Sequence, residues 1–209
     1  FFGWDLWSRK YVLVGLQYYY GICKDNDLKN KILIAMDRHL SYIISKIGEG
    51  KINIVETSQW RGCVNSCTIL VPTMELYKLN PKQEYLDFAK YIISKGGCKD
   101  CNLIELANQE GIYPYQFPVT KAYEMMSFFE GLVGYYEVTK DEYYLNTVTK
   151  FIQKVIDSDI TLIGCSGCTH ELFDHSAIEQ TEYKENIMQE TCVTTMWMKL
   201  LSRVYLITG

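Results

Sequence analysis

Residues 120–157, TKAYEMMSFFEGLVGYYEVTKDEYYLNTVTKFIQKVID, form one complete helical hairpin and decide the fold of the chain. Residues 120–138 are nearly all apolar, whereas residues 141–157 place apolar side chains on a single helical stripe. A helix that is apolar all round is buried, and one with a single apolar stripe lies on the outside of a domain. This stretch therefore predicts an inner helix, a short polar turn and an outer helix.

A weak internal repeat predicts that the same hairpin recurs along the chain. In residues 77–86 and 136–145 a tyrosine precedes a polar turn and a leucine ends the unit, and residues 19–28 have the same spacing. The pattern predicts an all-α fold, an arc of helical hairpins from an α/α toroid. Inner helices are expected near 6–21, 60–79, 120–138 and 187–207, and outer helices near 26–47, 81–96 and 141–157.

Helix signals and loop lengths give this arc a polarity. Asn80 and Pro81 are expected to start the second outer helix, and Pro72 should kink the second inner helix or shift its start. The connections from outer to inner helices are long, and long loops on a rigid scaffold often carry function. Their end of the arc holds a set of candidate residues: Trp4, Trp7, Trp60, Tyr113, Tyr115, His170, Glu171, Glu190 and Cys192.

Composition excludes several classes of protein. The chain has 209 residues, 48% of them hydrophobic, and a net charge of −4 without a long basic run. Disorder and a nucleic-acid partner are therefore not expected. No apolar run reaches the roughly 18 residues of a membrane span. Because the sequence ends inside a repeat, we expect residues 1–209 to be a single partial domain that continues beyond the C-terminus. The open edges of such an arc predict a homo-oligomer.

Eight cysteines allow several interpretations. Their spacing fits reduced thiols or metal ligands better than a disulfide framework, which favours a reducing, cytoplasmic compartment. The pairs Cys98/Cys101 and Cys165/Cys168 could together form a four-cysteine zinc site. The alternative is that these are simply buried or reduced thiols.

Residues 164–192 hold the densest group of chemically reactive side chains in the chain. His170 and His175 are five residues apart, which is one too many for a zincin helix. Glu190 and Cys192 open the fourth inner helix, where both side chains could face a metal ion and where the helix dipole favours a thiolate. The alternative for Cys192 is a core cysteine beside a first-turn glutamate.

Two C-terminal motifs resemble a known enzyme family. The segment ETCVTTMWMKLLSRVYLITG (190–209) resembles the Glu-Thr-Cys helix of the β-L-arabinofuranosidase family of six-hairpin glycosidases, glycoside hydrolase family 127 and its relatives. The segment ITLIGCSGCTHELF (160–173) resembles that family's glycine-rich loop ending in Glu-x-Phe. The helical segments 69–89 and 121–145 resemble its repeating hairpins.

The resemblance implies roles for individual residues. It makes Glu171 the general acid/base. Enclosure among Phe173 and other aromatic side chains is expected to raise the pKa of this carboxyl group. It makes Glu190 and Cys192 zinc ligands. Two cysteines downstream of residue 209 would complete the zinc site, and one of them would be the nucleophile of a retaining mechanism. The chain alone is then expected to be inactive.

The expected partner is a carbohydrate, an oligo- or polysaccharide of plant or bacterial origin. We take Trp7, Lys10, Trp60, Lys121 and His170 as candidate substrate-binding residues. His170 stands where the family usually has glycine, and Lys121 where it often has histidine. Two alternatives therefore stay open: a non-catalytic carbohydrate-binding α/α domain, and another zinc enzyme built on an α/α toroid.

Overall fold

The computed structural model describes residues 1–167, 169–181 and 190–209, and its regular elements are helical. The long helices are α1 (Asp5–Ile22), α2 (Asn26–Lys46), α4 (Leu70–Leu79), α5 (Gln83–Ser94), α7 (Ala122–Thr139), α8 (Glu142–Asp159) and α10 (Thr191–Thr208). Shorter ones are α3 (Val64–Cys67), α6 (Leu103–Asn108) and α9 (Ser176–Glu179), with 3-10 turns at Ile54–Glu56, Arg61–Cys63 and Pro114–Gln116. The described part contains isolated bridges but no strand.

The predicted alternation of inner and outer helices is confirmed. Helix α7 is buried along nearly its whole length and packs between α4 and α10, while the amphipathic α8 covers it from outside. The pairs α1–α2, α4–α5 and α7–α8 are the three hairpins, and α10 is the fourth inner helix. The chain is therefore an all-α arc of an α/α toroid.

Close packing of α7 on α4 depends on a glycine. A Cβ atom on Gly131 would lie 2.8 Å from Leu70 Cγ, which is closer than side chains approach. On the other side of α7, the rings of Phe129 and Phe151 stack at 3.9 Å between centroids and join it to α8. These contacts fix α7 as the centre of the arc.

Helix α1 departs from the expectation of an all-round buried inner helix. Only Leu6, Lys10 and Leu13 are buried, and Val12, Tyr18 and Ile22 are at least half exposed. The reason is its position at the edge of the arc, where it packs mainly on α2 and α4 and has no inner helix on its other side among the described residues. At the opposite edge, Tyr205 and Leu206 of α10 are exposed as well.

Two predicted helix boundaries change. The second outer helix begins at Gln83 and not at Pro81, because Asn80 ends α4, its N–H donating to Leu76 O at 2.8 Å. Pro72 shifts the start of the second inner helix, as expected, since it lies in the first turn of α4, where its missing N–H has no partner to lose. The fourth inner helix starts at Thr191, and residues 187–189 lie outside the described residues.

Short, capped turns contrast with long connections. Asp25 caps α2 and Asp141 caps α8 through their carboxylates, which lets each outer helix start within a few residues of the preceding inner helix. The long connections all lead back to the N-terminal ends of the inner helices.

In the described part of the chain, no helix is both long and apolar enough to cross a membrane.

Candidate active site

A cavity of about 450 Å³ opens at the long-loop end of the arc. Its wall combines four aromatic side chains with two carboxylates and a thiol. The lining residues are Trp4, Trp7, Tyr11, Tyr123, Glu124, Glu171 and Cys192. The residues come from α1, α7, the connection between α8 and α10 (the third long loop) and the first turn of α10, so the N-terminal ends of three inner helices converge here.

Backbone pairing places Glu171 on this wall. The N–H of Ala122 donates to Glu171 O at 2.9 Å and the N–H of Phe173 donates to Thr120 O at 2.7 Å, which ties the third long loop to the start of α7. Farther along the same loop, the Asp159 carboxylate accepts the N–H groups of Asp174 and His175 at 2.9 Å. The loop is therefore held at two points.

The loop carries backbone strain beside the cavity. His170 and Glu171 both have left-handed backbones, with φ of 50° and 60°. Non-glycine residues adopt this conformation at a cost of roughly 1–2 kcal/mol each, and such residues cluster at functional sites. The surrounding structure therefore holds this turn in a strained conformation beside the cavity.

The two oxygens of Glu171 have different partners. Its Oε2 forms an ion pair with Nζ of Lys121, whose side chain is 8% exposed, and its Oε1 accepts from the Cys192 thiol at 3.4 Å. Phe173, predicted to shield the carboxyl group, is instead buried against Phe151, and the Glu171 side chain stays 36% exposed. Phe173 therefore does not enclose this carboxyl group as expected. The carboxyl group contacts the ammonium group of Lys121 and the thiol of Cys192 instead.

Glu171, Glu190 and Cys192 form a possible metal-binding triad. Their ligand atoms all lie within 4.8 Å of one another, and all three residues are partly exposed. Glu190 is the N-cap residue of α10 and Cys192 lies in its first turn, so both point toward the loop end. Two carboxylates and a thiol are donors that zinc accepts in proteins. Burial and the nearby Glu190 charge raise the pKa of the Cys192 thiol.

Aromatic rings form a continuous surface around Trp7. Its ring lies 5.3 Å from Tyr11, 5.4 Å from Tyr123 and 5.6 Å from Trp4, mostly edge to face. Trp60 extends this surface, with its ring 5.9 Å from that of Trp4 and 44% of its surface exposed. Flat apolar rings with polar edges suit the faces and hydroxyl groups of sugars.

Lys10 is buried beneath this aromatic surface. Its Nζ donates to Ser127 Oγ at 2.5 Å and lies 4.6 Å from the centre of the Trp7 ring. Burial lowers the pKa of Lys10 to about 7. Burial therefore opposes the charged form of this amine.

The structure brings most of the sequence-predicted residues together. Glu171, Cys192 and Trp7 line the cavity, while Glu190 and Lys121 adjoin it through the triad and the ion pair. Trp60 does not line the cavity itself but contacts Trp4, which does. His170 is exposed next to Glu171 but does not line the cavity.

Other predicted groups lie apart from this site. Tyr113 stacks on Tyr115, which stacks on His175, and none of the three lines the cavity. Within the described residues, Cys98, Cys101 and Cys165 form no metal-type cluster, and Cys168 lies outside them.

Sequence reasoning missed Tyr11, Tyr123 and Glu124. Tyr11 Oη and Tyr123 Oη lie 2.5 Å apart across the α1–α7 contact. Glu124 is 3% exposed, and its Oε2 atom has no hydrogen-bond partner among the residues that the structure describes. The available signal was a charged residue in an otherwise apolar helix, three positions after Lys121 and therefore on the same helical face.

A larger cavity of about 570 Å³ lies at the short-turn end, among α1, α4, α7 and α10. Its charged groups are already paired: Arg203 contacts Glu75 at 2.5 Å and Glu137 at 2.7 Å, and Lys78 contacts Glu137. Its carboxylates are committed to salt bridges, and its described lining holds no cysteine beside a carboxylate. The smaller cavity is the better candidate for chemistry.

Comparison with known proteins matches the chain to a protein family. The model of a protein family described as "Beta-L-arabinofuranosidase, GH127 catalytic domain" matches residues 4–209. Neither the curated proteins nor the solved structures that were searched contain a match.

Proposed function

The chain belongs to the β-L-arabinofuranosidase, GH127 catalytic-domain family, and from this premise we propose that it forms a retaining glycosidase domain acting on an oligo- or polysaccharide of plant or bacterial origin. Membership of a glycoside hydrolase family implies a carbohydrate substrate. The observation that carries the proposal is the position of Glu171: it lines an aromatic-walled cavity and accepts a hydrogen bond from the Cys192 thiol.

We assign Glu171 the role of general acid/base. In the first step its carboxyl group gives a proton to the leaving glycosidic oxygen, and in the second it takes a proton from the attacking water. Lys121 occupies Oε2, so Oε1, which faces Cys192, is the oxygen proposed to carry the transferred proton. Lys121 thereby orients the carboxyl group.

Glu190 and Cys192 are proposed to hold a zinc ion. The donor set and its spacing at the start of α10 fit zinc, and Glu171 lies within the same 4.8 Å group. When bound, zinc keeps a coordinating thiol deprotonated at neutral pH. The nucleophilic thiolate that the family resemblance implies would come from a cysteine downstream of this chain, so this chain's own contribution is to bind, orient and transfer a proton.

Substrate binding is assigned to the aromatic surface and the cations around it. Trp7 and Trp60 would pack on sugar faces and Lys121 would contact a ring oxygen, while Lys10, buried beneath the Trp7 ring, would support the aromatic surface from below. His170, exposed beside Glu171, would contact a sugar unit at the mouth of the cavity. The exposed apolar edges on α1 and α10 support a further proposal, that the arc associates with another copy or another part of the protein.

One observation favours a second candidate, a non-catalytic carbohydrate-binding domain. The aromatic surface around Trp7 could hold a sugar without the help of any acid or metal. Turnover of β-L-arabinofuranosides by the complete protein, with the anomeric form of the first product followed by NMR, separates the two. A product of retained configuration is expected. Sugar binding without turnover would favour the binding domain, and an inverted product would refute the retaining mechanism.

A further inference from the structure

Glu124 is a buried carboxylate that the proposed mechanism does not use. It lies in the first turn of α7, is 3% exposed and lines the same cavity as Glu171 and Cys192. Its Oε2 atom is buried and has no hydrogen-bond partner within the described residues. Leaving a buried acceptor unpaired costs about 1–3 kcal/mol, and more for a charged group. A ligand in the cavity that donates a hydrogen bond to this oxygen would remove that cost.

Positive charges already surround Glu124. Lys121, Lys10 and Arg61 each favour the ionised form of its carboxyl group, although burial outweighs them and raises its pKa. A cationic ligand would therefore have to enter beside Lys10 and Lys121. An anionic ligand would face the carboxylates of Glu171 and Glu190. The ligand group that fits is a neutral hydrogen-bond donor.

The other side chains of the cavity narrow the ligand class. The rings of Trp7 and Tyr11 offer apolar faces, and the hydroxyl groups of Tyr11 and Tyr123 are directed at each other at 2.5 Å. A sugar ring has both an apolar face for the aromatic surface and hydroxyl groups that donate hydrogen bonds. An apolar ligand would leave Glu124 unpaired.

We propose that Glu124 is a substrate-binding residue that accepts a hydrogen bond from a ring hydroxyl group of a neutral sugar. This inference rests on the proposed glycosidase function. The contact between Glu124 and the sugar hydroxyl group would select neutral sugars over amino sugars and sugar acids. Glu124 takes no part in proton transfer. Its removal therefore weakens binding and leaves the chemical step largely intact.

Glu130 provides a matched control on the same helix. It is also 3% exposed, and its buried Oε2 likewise forms no hydrogen bond with the described part of the chain. It lines the cavity at the other end of the arc and is neutralised by Lys199 at 3.1 Å and Arg203 at 3.6 Å. A general effect of altering a buried carboxylate on α7 would appear in both variants.

The test compares Glu124→Ala, Glu124→Gln and Glu130→Gln in the complete protein. A hydrogen bond to a charged group corresponds to roughly a 10–100-fold change in binding. We expect Glu124→Ala to raise KM by about that factor with kcat changed less than about threefold. Glu124→Gln, which keeps an acceptor oxygen, should lie between, and Glu130→Gln should resemble the wild type.

Thermal unfolding shows whether the Glu124 variants remain folded. Thermal unfolding should show Glu124→Ala as stable as the wild type or more so, because an unpaired buried acceptor is removed. A wild-type KM in Glu124→Ala, or an effect of equal size in Glu130→Gln, would overturn the inference. Tighter Glu124-dependent binding of an amino sugar would overturn the assigned ligand class.

Calorimetric binding of free sugars separates this inference from the proposed function. If the wild type turns over no glycoside, the glycosidase proposal fails. Loss of neutral-sugar binding in Glu124→Ala would then still support the contact. If the wild type neither binds nor cleaves a neutral sugar, both fail.

Discussion

Lys121 and Glu171, fifty positions apart in the chain, form an ion pair at the wall of the candidate active site. The pair links the start of α7 to the third long loop, and it leaves only Oε1 of Glu171 directed at Cys192. It therefore determines which carboxyl oxygen is available for chemistry.

Removing Lys121 should reduce both stability and activity. In Lys121→Met the Glu171 carboxylate loses its partner beside Glu190, and we expect a loss of about 1–2 kcal/mol in unfolding free energy. Turnover should fall at least tenfold, since the carboxyl group is no longer oriented. Urea unfolding and steady-state kinetics measure the two effects.

Lys99→Met is the matched control for that experiment. Lys99 and Glu56 form an ion pair at 2.8 Å, and both side chains are about half exposed. Exposed pairs contribute about 0–1 kcal/mol, so this variant should resemble the wild type in both measurements. Equal losses in the two variants would show that Lys121 has no special role.

Lys10→Met should stabilise the domain near neutral pH while weakening substrate binding. The pKa of Lys10 falls from its usual 10.5 to about 7 on burial, so between these values the unfolded chain binds more protons than the folded one. Stability of the wild type then rises with pH from about 7 to 10.5, and the penalty is fully present below pH 7.

The variant should lose this slope. Glu130 and Glu124 partly offset the burial of Lys10 and Lys199 opposes them, so the gain at pH 6 should be about 1–3 kcal/mol after the lost hydrogen bond to Ser127. Urea unfolding between pH 6 and 9 measures it. Parallel stability curves for wild type and variant would show that Lys10 is not desolvated.

His170→Gly should stabilise the third long loop by up to about 1 kcal/mol, because glycine adopts the left-handed backbone at no steric cost. His175→Gly is the control: it has a similar φ of 65°, but its ring stacks on Tyr115 at 4.3 Å, so its removal also loses a contact. Thermal unfolding should rank His170→Gly above the wild type and His175→Gly no higher than it. The reverse order would contradict the strain assigned to His170.

Zinc binding by this chain should be weak and should depend on Cys192. The triad supplies at most three ligands, and one of them, Glu171, is held by Lys121. Equilibrium dialysis should show at least a tenfold loss of zinc affinity in Cys192→Ala and none in Cys98→Ala. Tight binding that Cys98→Ala abolishes would instead support the cysteine-pair site.

The helical arc was predictable because its hairpins are local. The apolar residues 120–138 and the amphipathic residues 141–157 specify an inner and an outer helix without reference to distant contacts. Exact helix starts were less predictable. Asn80 could cap either of two adjacent helices, and only packing decides that it ends α4.

The site was predictable only in part because its key contacts are long-range. The family motifs pointed to Glu171, Glu190 and Cys192, but nothing in the local sequence pairs Glu171 with Lys121. In the sequence Glu124 is an ordinary first-turn glutamate, and only the fold shows that it lies in a cavity wall with an Oε2 atom that no described residue contacts by a hydrogen bond.

The most direct test of the account is the leaving-group dependence of Glu171→Gln in the complete protein. The substitution keeps the shape of the side chain and removes its transferable proton. We predict that turnover of a natural glycoside falls about 10²–10⁴-fold. Turnover of an aryl glycoside with a very acidic leaving group should fall much less, because its departure needs no proton. An unchanged rate on the natural glycoside, or an equal loss on both substrates, would contradict the role of Glu171 as the general acid.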